Sequence, residues 1–327
     1  MIQTSIKRRS QLYQTIRKFF NDRSYLEVET PILSETLIPE STIENFSTTF
    51  TSDFHPNGER FLIPSPEIHM KKLIAEGSGS IFQIAKCFRN SEQIGNHHNP
   101  EFSMLEWYTM EADYQDSIQL TEELLKAAAQ PETAEHITPP FKKMSIAEAF
   151  SIYAGFDIEK AQSLAAITAK AKALGLTPPK GPTTWEDEFN RIFLTFVEPN
   201  LPQEKPLILL DYPVQIRCLA KEKLGTPYRE RWELYAGGLE LANCYTEETQ
   251  AVKVREHYRT EFGKLVQERR KSGSVIPETD DSFAEIFTET YPECSGTAMG
   301  LDRLLMVLYN IKTIRGVMLF PFSDTIC

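Results

Sequence analysis

The sequence predicts an α+β fold, in which an antiparallel sheet is flanked by helices. Residues 80–89 and 101–108 read as two strands joined by a polar loop, and residues 231–248 form a second hairpin that turns at Gly237-Gly238. Apolar residues with helical spacing occur at both ends of the chain. Hairpins separated by helices are typical of the α+β class.

The first elements follow from local patterns. Residues 4–22 place apolar side chains on one face and Lys and Arg on the other, which predicts an amphipathic helix. Residues 26–29 alternate towards Pro31 and predict a strand end, because the residue before a proline avoids the helical conformation. A second helix is expected to begin with Ser65 as its N-cap and Pro66 at its first helical position.

The middle of the chain, residues 117–200, has a different composition. Alanine-rich stretches alternate with proline-rich breaks there, which predicts an inserted and mainly helical region. The remaining elements are a buried strand, the second hairpin, a charged helix, a strand and a last helix, at 207–210, 231–248, 252–271, 294–299 and 300–309. We therefore expect residues 1–327 to form a single domain with one helical insertion.

The composition limits the classes of function. A chain with 41% hydrophobic and 25% charged residues is an ordinary globular protein. No apolar run approaches the roughly 18 residues of a membrane span, and the polar start carries no secretory signal. The five cysteines are scattered without a C-x-x-C pair, which favours a cytoplasmic protein without structural zinc. The net charge of −11 disfavours general binding to nucleic acid, including tRNA.

The first strand pair carries three candidate functional residues. Arg89 ends a strand on a mildly polar inner face and needs an anionic partner, either a ligand or a structural carboxylate. Glu106 and Tyr108 are two residues apart and therefore project from the same face. A carboxylate beside a phenol can hold an ammonium ion, although a solvated glutamate on an edge strand is the alternative.

The second hairpin carries two acidic residues. With Gly237-Gly238 at the turn, Tyr235 faces Glu240, so Glu233 and Glu240 lie on one face of the sheet. Two carboxylates held together favour Mg²⁺, and the alternative is a solvated acidic face.

Three further polar residues follow Glu240 on the same strand. Simple alternation puts Asn243, Tyr245 and Glu247 on the face opposite Glu240. They can join one pocket only if the strand bulges near Leu241.

Residues 295–303 lead into the last helix. Arg303 lies in its first turn, away from the leucine stripe, where the helix dipole disfavours a cation. A bound triphosphate would remove that penalty, and a salt bridge is the alternative. The chain contains neither a P-loop nor a dinucleotide-binding glycine motif.

In order, these segments resemble the three signature motifs of class II aminoacyl-tRNA synthetases of the lysyl branch. Residues 26–31 resemble motif 1, whose proline, here Pro31, lies at a dimer interface. Residues 88–108 resemble motif 2, residues 300–303 resemble motif 3, and residues 313–321 resemble the lysyl-type ending. The match covers nearly the whole chain. It implies the class II antiparallel sheet, ATP and Mg²⁺ as cofactors, a homodimer and an AMP-forming ligase.

The resemblance is closest to a paralogue family. Lysyl enzymes carry an anticodon-binding OB domain before motif 1, and we expect no such domain here because motif 1 begins near residue 26. This absence, residues 65–72 and Trp107 are similar to the family that attaches β-lysine to a lysine of elongation factor P. In that family an alanine replaces a synthetase glycine four residues before the motif 3 aspartate, and Ala298 occupies that place.

The resemblance implies a role for each matching residue. Arg89 and Arg303 would be catalytic, with Arg89 holding the α-phosphate and the substrate carboxylate. The ATP contacts would be Arg89, Asn90, Ser91, His98, Asn99, Phe102, Glu240, Leu241, Gly300 and Arg303. The lysine-type substrate would meet Ser65, Pro66, Glu67, Glu106, Tyr108, Asn243, Tyr245, Glu247 and Ala298. Glu233 and Glu240 would hold Mg²⁺.

The sequence leaves the substrate and the acceptor open. Cys244 replaces a family glycine and is expected to crowd the pocket, and Gln250 stands where an aspartate is common. The substrate is therefore α-lysine or (R)-β-lysine, and the expected acceptor is elongation factor P. A minimal tRNA-charging enzyme is one alternative, disfavoured by the acidic charge and the missing OB domain. A non-catalytic lysine or ATP sensor is another, disfavoured by the intact set of Arg89, Glu233, Glu240 and Arg303.

Overall fold

A computed structural model describes residues 2–91, 95–134, 137–280 and 282–322. The strands are β1 (Leu26–Glu27), β2 (Leu33–Ser34), β3 (Ser47–Phe50), β4 (Gly58–Leu62), β5 (Ile81–Phe88), β6 (Glu101–Met110), β7 (Lys142–Ser145), β8 (Leu207–Pro213), β9 (Tyr228–Ala236), β10 (Leu239–Thr246) and β11 (Cys294–Gly300). The α-helices are α1 (Ile2–Asn21), α2 (Glu67–Ala75), α3 (Tyr114–Ala128), α4 (Ile146–Ala149), α5 (Leu164–Ala173), α6 (Trp185–Ile192), α7 (Ala251–Ser272) and α8 (Leu301–Leu308).

The main sheet has eight strands in the order β1-β5-β6-β11-β10-β9-β8-β7. Its inner pairs are all antiparallel, whereas the two edge pairs, β1 with β5 and β7 with β8, are parallel. A small second sheet has the order β2-β4-β3. The predicted α+β fold is confirmed, and the sheet is mixed only at its edges.

Helices α1, α3 and α8 cover one face of the main sheet. Their apolar side chains form a common core with Trp107 of β6 and Trp232 of β9, both fully buried. Because side chains alternate along a strand, Glu106 and Tyr108 beside Trp107 project to the other face. That other face carries the cavities described below.

The inserted region is helical, as its composition predicts, with two differences. Helix α3 packs on the main core rather than with the rest of the insertion. Strand β7 was not predicted, since it is short and contains a single apolar residue, Met144. A second core forms around stacked rings of Phe150, Trp185, Phe189 and Phe193.

Helix α2 begins one residue later than predicted. Pro66 is its N-cap, and the hydroxyl of Ser65 accepts the backbone N–H of Glu67 at 3.1 Å. This contact holds the Glu67 side chain at the start of the helix, beside β6. Within the described ranges, no helix has the length and apolarity that a membrane span requires.

Candidate active site

Two connected cavities lie on the open face of the main sheet. The larger cavity has a volume of about 350 Å³ and the smaller cavity about 190 Å³. Residues that line both are Arg89, Met104, Glu240, Asn243 and Ala298. These shared residues form the junction between the two cavities.

The floor of the junction is built by three central strands. Ala298 of β11 lies between Glu106 of β6 and Asn243 of β10 in the register of the sheet. The next row, Tyr108, Gly296 and Tyr245, continues this floor into the larger cavity.

Gly296 is required in that second row by close packing. A Cβ atom added to it would lie 2.2 Å from Oε1 of Glu247 and 2.6 Å from Cε1 of Tyr108. The missing side chain therefore lets Glu247 and Tyr108 approach each other across β11.

Strand β10 contains a bulge, which is the condition for Asn243, Tyr245 and Glu247 to share a pocket with Glu240. Its register against β9 shifts between Glu240 and Ala242, so Leu241 is the extra residue. Glu240 pairs with Tyr235 as predicted, and Asn243 pairs with Glu233. The bulge brings Glu240 and the later residues Asn243, Tyr245 and Glu247 to the same cavity.

Glu106 is buried at the base of the larger cavity. Its carboxylate accepts hydrogen bonds from the hydroxyl of Ser65 at 2.7 Å and from that of Tyr108 at 2.9 Å. Burial and the nearby charge of Glu67 raise the pKa of Glu106 to about 8, against the opposite effect of these hydrogen bonds. A cation bound beside it would restore the charged form.

A buried ion-pair cluster completes this wall. Lys71 of α2 is fully buried, and its Nζ lies 2.5 Å from Glu67 Oε1 and 2.7 Å from Glu247 Oε2. Burial raises the pKa of Glu247 to about 7, opposed by the charge of Lys71 and reinforced by that of Glu67. Lys71 was not predicted as a site residue, because its only local signal in the sequence is its spacing of four residues from Glu67.

Arg89 stands at the junction without a carboxylate partner. Among the residues that the structure describes, none forms a salt bridge with it, and its buried Nε has no hydrogen-bond acceptor. Its guanidinium lies 5.3 Å from the centre of the Phe102 ring. The structural salt bridge considered as an alternative is therefore not found there, and the geometry fits an anionic ligand.

Arg303 lines the smaller cavity from the first turn of α8. It donates to the backbone carbonyl of Glu240 at 2.9 Å and lies 2.6 Å from Nε2 of His98. Its distance to the Glu240 carboxylate is 3.8 Å. With Asn99, Phe102, Leu241 and Gly300, these residues surround the smaller cavity.

The neighbouring Asp302 has a structural task that the sequence analysis missed. Its buried carboxylate accepts from Arg9 of α1 at 2.5 Å and from the backbone N–H of Ser103 at 2.8 Å. These contacts fix the start of α8, and with it Arg303, against α1 and β6.

Glu233, the other predicted metal ligand, is buried, lines neither cavity and is held by three donors. Tyr212 and Tyr235 donate to one carboxylate oxygen at 2.6 and 2.8 Å, and Arg231 lies 2.6 Å from the other. Burial and the charge of Glu233 raise the pKa of Glu240 to about 7, while Arg303 opposes the rise. The two carboxylates are thus close enough to interact.

Some candidate residues lie elsewhere. Asn90 and Ser91 are exposed and do not line either cavity, and Pro66 is buried under the start of α2. Cys244 does not crowd the pocket, because it is fully buried in the main core on the opposite face of β10. Gln250 is the N-cap of α7, outside both cavities.

Further polar residues in the wall of the larger cavity were not expected. Glu40 comes from the loop before β3, Glu186 and Asn190 from α6, and Glu261 from α7. No local pattern distinguishes these residues from surface residues, because only the folded loop and insertion bring them to the cavity.

Comparisons with known proteins agree with this geometry. A family model described as tRNA synthetases class II (D, K and N) matches residues 1–324. A Haemophilus ducreyi protein named elongation factor P–(R)-β-lysine ligase is 37% identical, over 98% of this chain and 94% of its own length. Proteins of the same name from Pasteurella multocida and Mannheimia succiniciproducens are 36% and 35% identical, over 97% of this chain and 94% of their lengths.

Proposed function

The chain belongs to the class II tRNA synthetase family, and from this we propose a specific reaction for it. It activates (R)-β-lysine with ATP as an adenylate and transfers the acyl group to a lysine side chain of elongation factor P. That it is an AMP-forming, ATP-using ligase follows from the family and from the ligase names of its relatives. The adenylate, the substrate isomer and the acceptor are the proposal.

Arg89, which forms no salt bridge with any residue that the structure describes, is the observation that carries this proposal. It joins an acidic cavity, lined by Glu67, Glu106 and Glu247, to the smaller cavity that contains Arg303. A lysine-type substrate in the first cavity would point its carboxylate at Arg89. ATP in the second would place its α-phosphate at the same guanidinium.

The activation step then needs positioning and charge neutralisation rather than a protein nucleophile. A substrate carboxylate oxygen attacks the α-phosphorus, the bond to the β-phosphate oxygen breaks, and pyrophosphate leaves. Arg89 and Arg303 stabilise the negative charge that develops on the phosphate oxygens. The neutral acceptor amine next attacks the acyl carbon, loses a proton, and AMP leaves.

Glu240, which lines both cavities, would hold Mg²⁺ in this reaction, and Glu233 would join it by exchanging one of its present donors for the ion. Their mutual repulsion, which raises the pKa of Glu240, is a penalty that a divalent cation would remove. Among the described residues no group of three or more His, Cys, Asp or Glu could hold a metal, so phosphate oxygens and water would supply the other ligands. Bound there, the ion would neutralise phosphate charge.

The acceptor is proposed from the relatives, whose names specify elongation factor P. We extend the proposal to a cytoplasmic homodimer formed around Pro31. Three apolar side chains beside it are 42–58% exposed, namely Leu26, Ile32 and Leu33.

A matched acceptor assay tests this function. Purified enzyme is given ATP with labelled (R)-β-lysine or α-lysine, and with either elongation factor P or tRNA. We expect label on elongation factor P from (R)-β-lysine. Label on tRNA would identify a minimal synthetase instead, and the absence of ATP–pyrophosphate exchange with either isomer would indicate a sensor.

A further inference from the structure

The feature that the proposed reaction does not use is the buried ammonium of Lys71. Its side chain is 1% exposed, and it contacts the two carboxylates that would receive substrate, Glu67 and Glu247. A charged lysine in the interior is costly unless it is paired, so the burial of Lys71 must be explained by the charges around it.

The cause is visible in the charges of the larger cavity. Three of its carboxylates surround Lys71: Glu67, Glu106 and Glu247. The other acidic residues of the wall, Glu40, Glu186, Glu240 and Glu261, share the cavity with Arg89, Arg217 and Arg231. Glu106 is held by two neutral hydroxyl groups, and the only cation that pairs with Glu67 or Glu247 among the described residues is Lys71. A lysine of either isomer carries two ammonium groups, one fewer than the number of carboxylates.

We propose that Lys71 is a positioning residue that balances the charge of this carboxylate cluster. When a bound cation keeps the three carboxylates ionised, Lys71 neutralises one of them and leaves the cluster with a net charge of −2, which matches the two ammonium groups of the substrate. If the proposed function holds, this charge balance makes the cavity select a dication over an amino acid with one ammonium group. Lys71 also fixes the directions of Glu67 and Glu247, because both contact its single Nζ.

The other titratable groups around Lys71 do not supply this charge. They come from β6, α7, the segment before β11 and the first residue of β11: Tyr108, His257, Tyr258, Tyr291 and Cys294. Burial raises the pKa of the tyrosines and of Cys294 and lowers the pKa of His257 to about 4, so these groups are neutral near pH 7. Burial would lower the pKa of Lys71, but Glu247 and Glu67 raise it well above its usual range.

Equilibrium binding of 1,5-diaminopentane tests this balance without depending on catalysis. The variants are Lys71→Met (cluster charge −3), Glu247→Gln (−1) and the double variant (−2). At pH 7 we expect Glu247→Gln to lose about tenfold or more in affinity, which corresponds to about one pKa unit of charge interaction. We expect Lys71→Met to lose a similar factor, because Glu67 and Glu247 lose the ammonium group that fixes their directions and their mutual repulsion favours the protonated form. We expect the double variant to bind at least about tenfold more tightly than Glu247→Gln, because its charge is restored.

Lys72→Met is the matched control. Lys72 follows Lys71 on the same helix, is 40% exposed and pairs with Asp280 outside the cavity, so its affinity should stay within about twofold of wild type. The comparison of the double variant with Glu247→Gln remains decisive if Lys71→Met does not fold.

Two results separate this inference from the proposed function. A double variant that binds no more tightly than Glu247→Gln would overturn the charge balance and leave Lys71 a packing role. Wild-type enzyme that binds the diamine but shows no ATP–pyrophosphate exchange with a lysine isomer would overturn the function and leave the charge balance standing.

Discussion

The two cavities that meet at Arg89 differ in how their charged side chains are paired. The smaller cavity is lined by two guanidinium groups whose positive charges are only weakly paired. Arg89 has no salt bridge within the described ranges, and Arg303 contacts a carbonyl, a histidine ring and a carboxylate 3.8 Å away. In the larger cavity the three carboxylates around Lys71 are already held, Glu106 by two hydroxyl groups and Glu67 and Glu247 by Lys71.

This difference in charge assigns the activation step with ATP to the smaller cavity and the selection of the amino acid to the larger cavity. Arginine stays charged at any physiological pH, so the smaller cavity can receive phosphate without a change in protonation. Glu106 and Glu247 of the larger cavity have raised pKa values, so their charge depends on whether a cation is bound. Changes in the smaller cavity should therefore alter the rate, whereas changes in the larger cavity should alter affinity and its dependence on pH.

The largest effect is expected from Arg89→Ala. Loss of the guanidinium at the junction should reduce ATP–pyrophosphate exchange by about 10²–10³-fold or more, because charge on the α-phosphate is no longer neutralised. Thermal stability should hardly change, since no described carboxylate loses a partner. Arg23→Ala, which removes an exposed pair with Glu123, is the control. Near-normal exchange by Arg89→Ala would contradict the proposed reaction.

A smaller effect, confined to substrate affinity, is expected from Glu106→Gln. The variant keeps the shape of the side chain but removes a buried charge that would pair with an ammonium group. That loss should cost about 2 kcal/mol or more, or roughly a 30-fold rise in KM for lysine. The KM for ATP and kcat should change little, and Glu123→Gln serves as the exposed control. An equal rise in both KM values would show that the two cavities are not separable.

The next prediction concerns pH. The pKa of Glu106 and that of Glu247 are raised to about 8 and about 7, above the values of the unfolded chain. The free enzyme therefore loses stability as pH rises through these values, because the folded state must release protons there. Bound lysine lowers both pKa values, so the increase in Tm that it causes should grow by several degrees from pH 6 to pH 8.5. A shift that is constant over this range would contradict the prediction.

How far the sequence predicts the site depends on how local each signal is. The hairpin and the pairing of Tyr235 with Glu240 follow from two adjacent glycines, which fix the turn. The need for a bulge near Leu241 was predictable, but its presence depends on β9 and β11, which hold β10 from both sides. Local motifs in the sequence therefore predict which strands and turns form, whereas the neighbouring strands determine how those strands are aligned.

The missed residues have partners that are remote in the sequence. Lys71 meets Glu247, and Arg9 meets Asp302, across most of the chain. Each residue alone looks like part of a solvated basic helix face, and only the folded contact shows that its charge is buried. The same limit explains the wrong expectation for Cys244, because the bulge decides which face of β10 each residue occupies.

The smallest effect is expected at that residue. Cys244 is fully buried in the main core beside Trp232, so Cys244→Ala should cost about 1–2 kcal/mol of stability by loss of packing. The KM for lysine should stay within about twofold of wild type, since no part of the cavity changes. Ala298→Gly is the informative comparison, because that methyl group lines both cavities. It should change the preference between (R)-β-lysine and α-lysine by about tenfold or more. A changed preference in Cys244→Ala without loss of stability would mean that the side chain reaches the cavity after all.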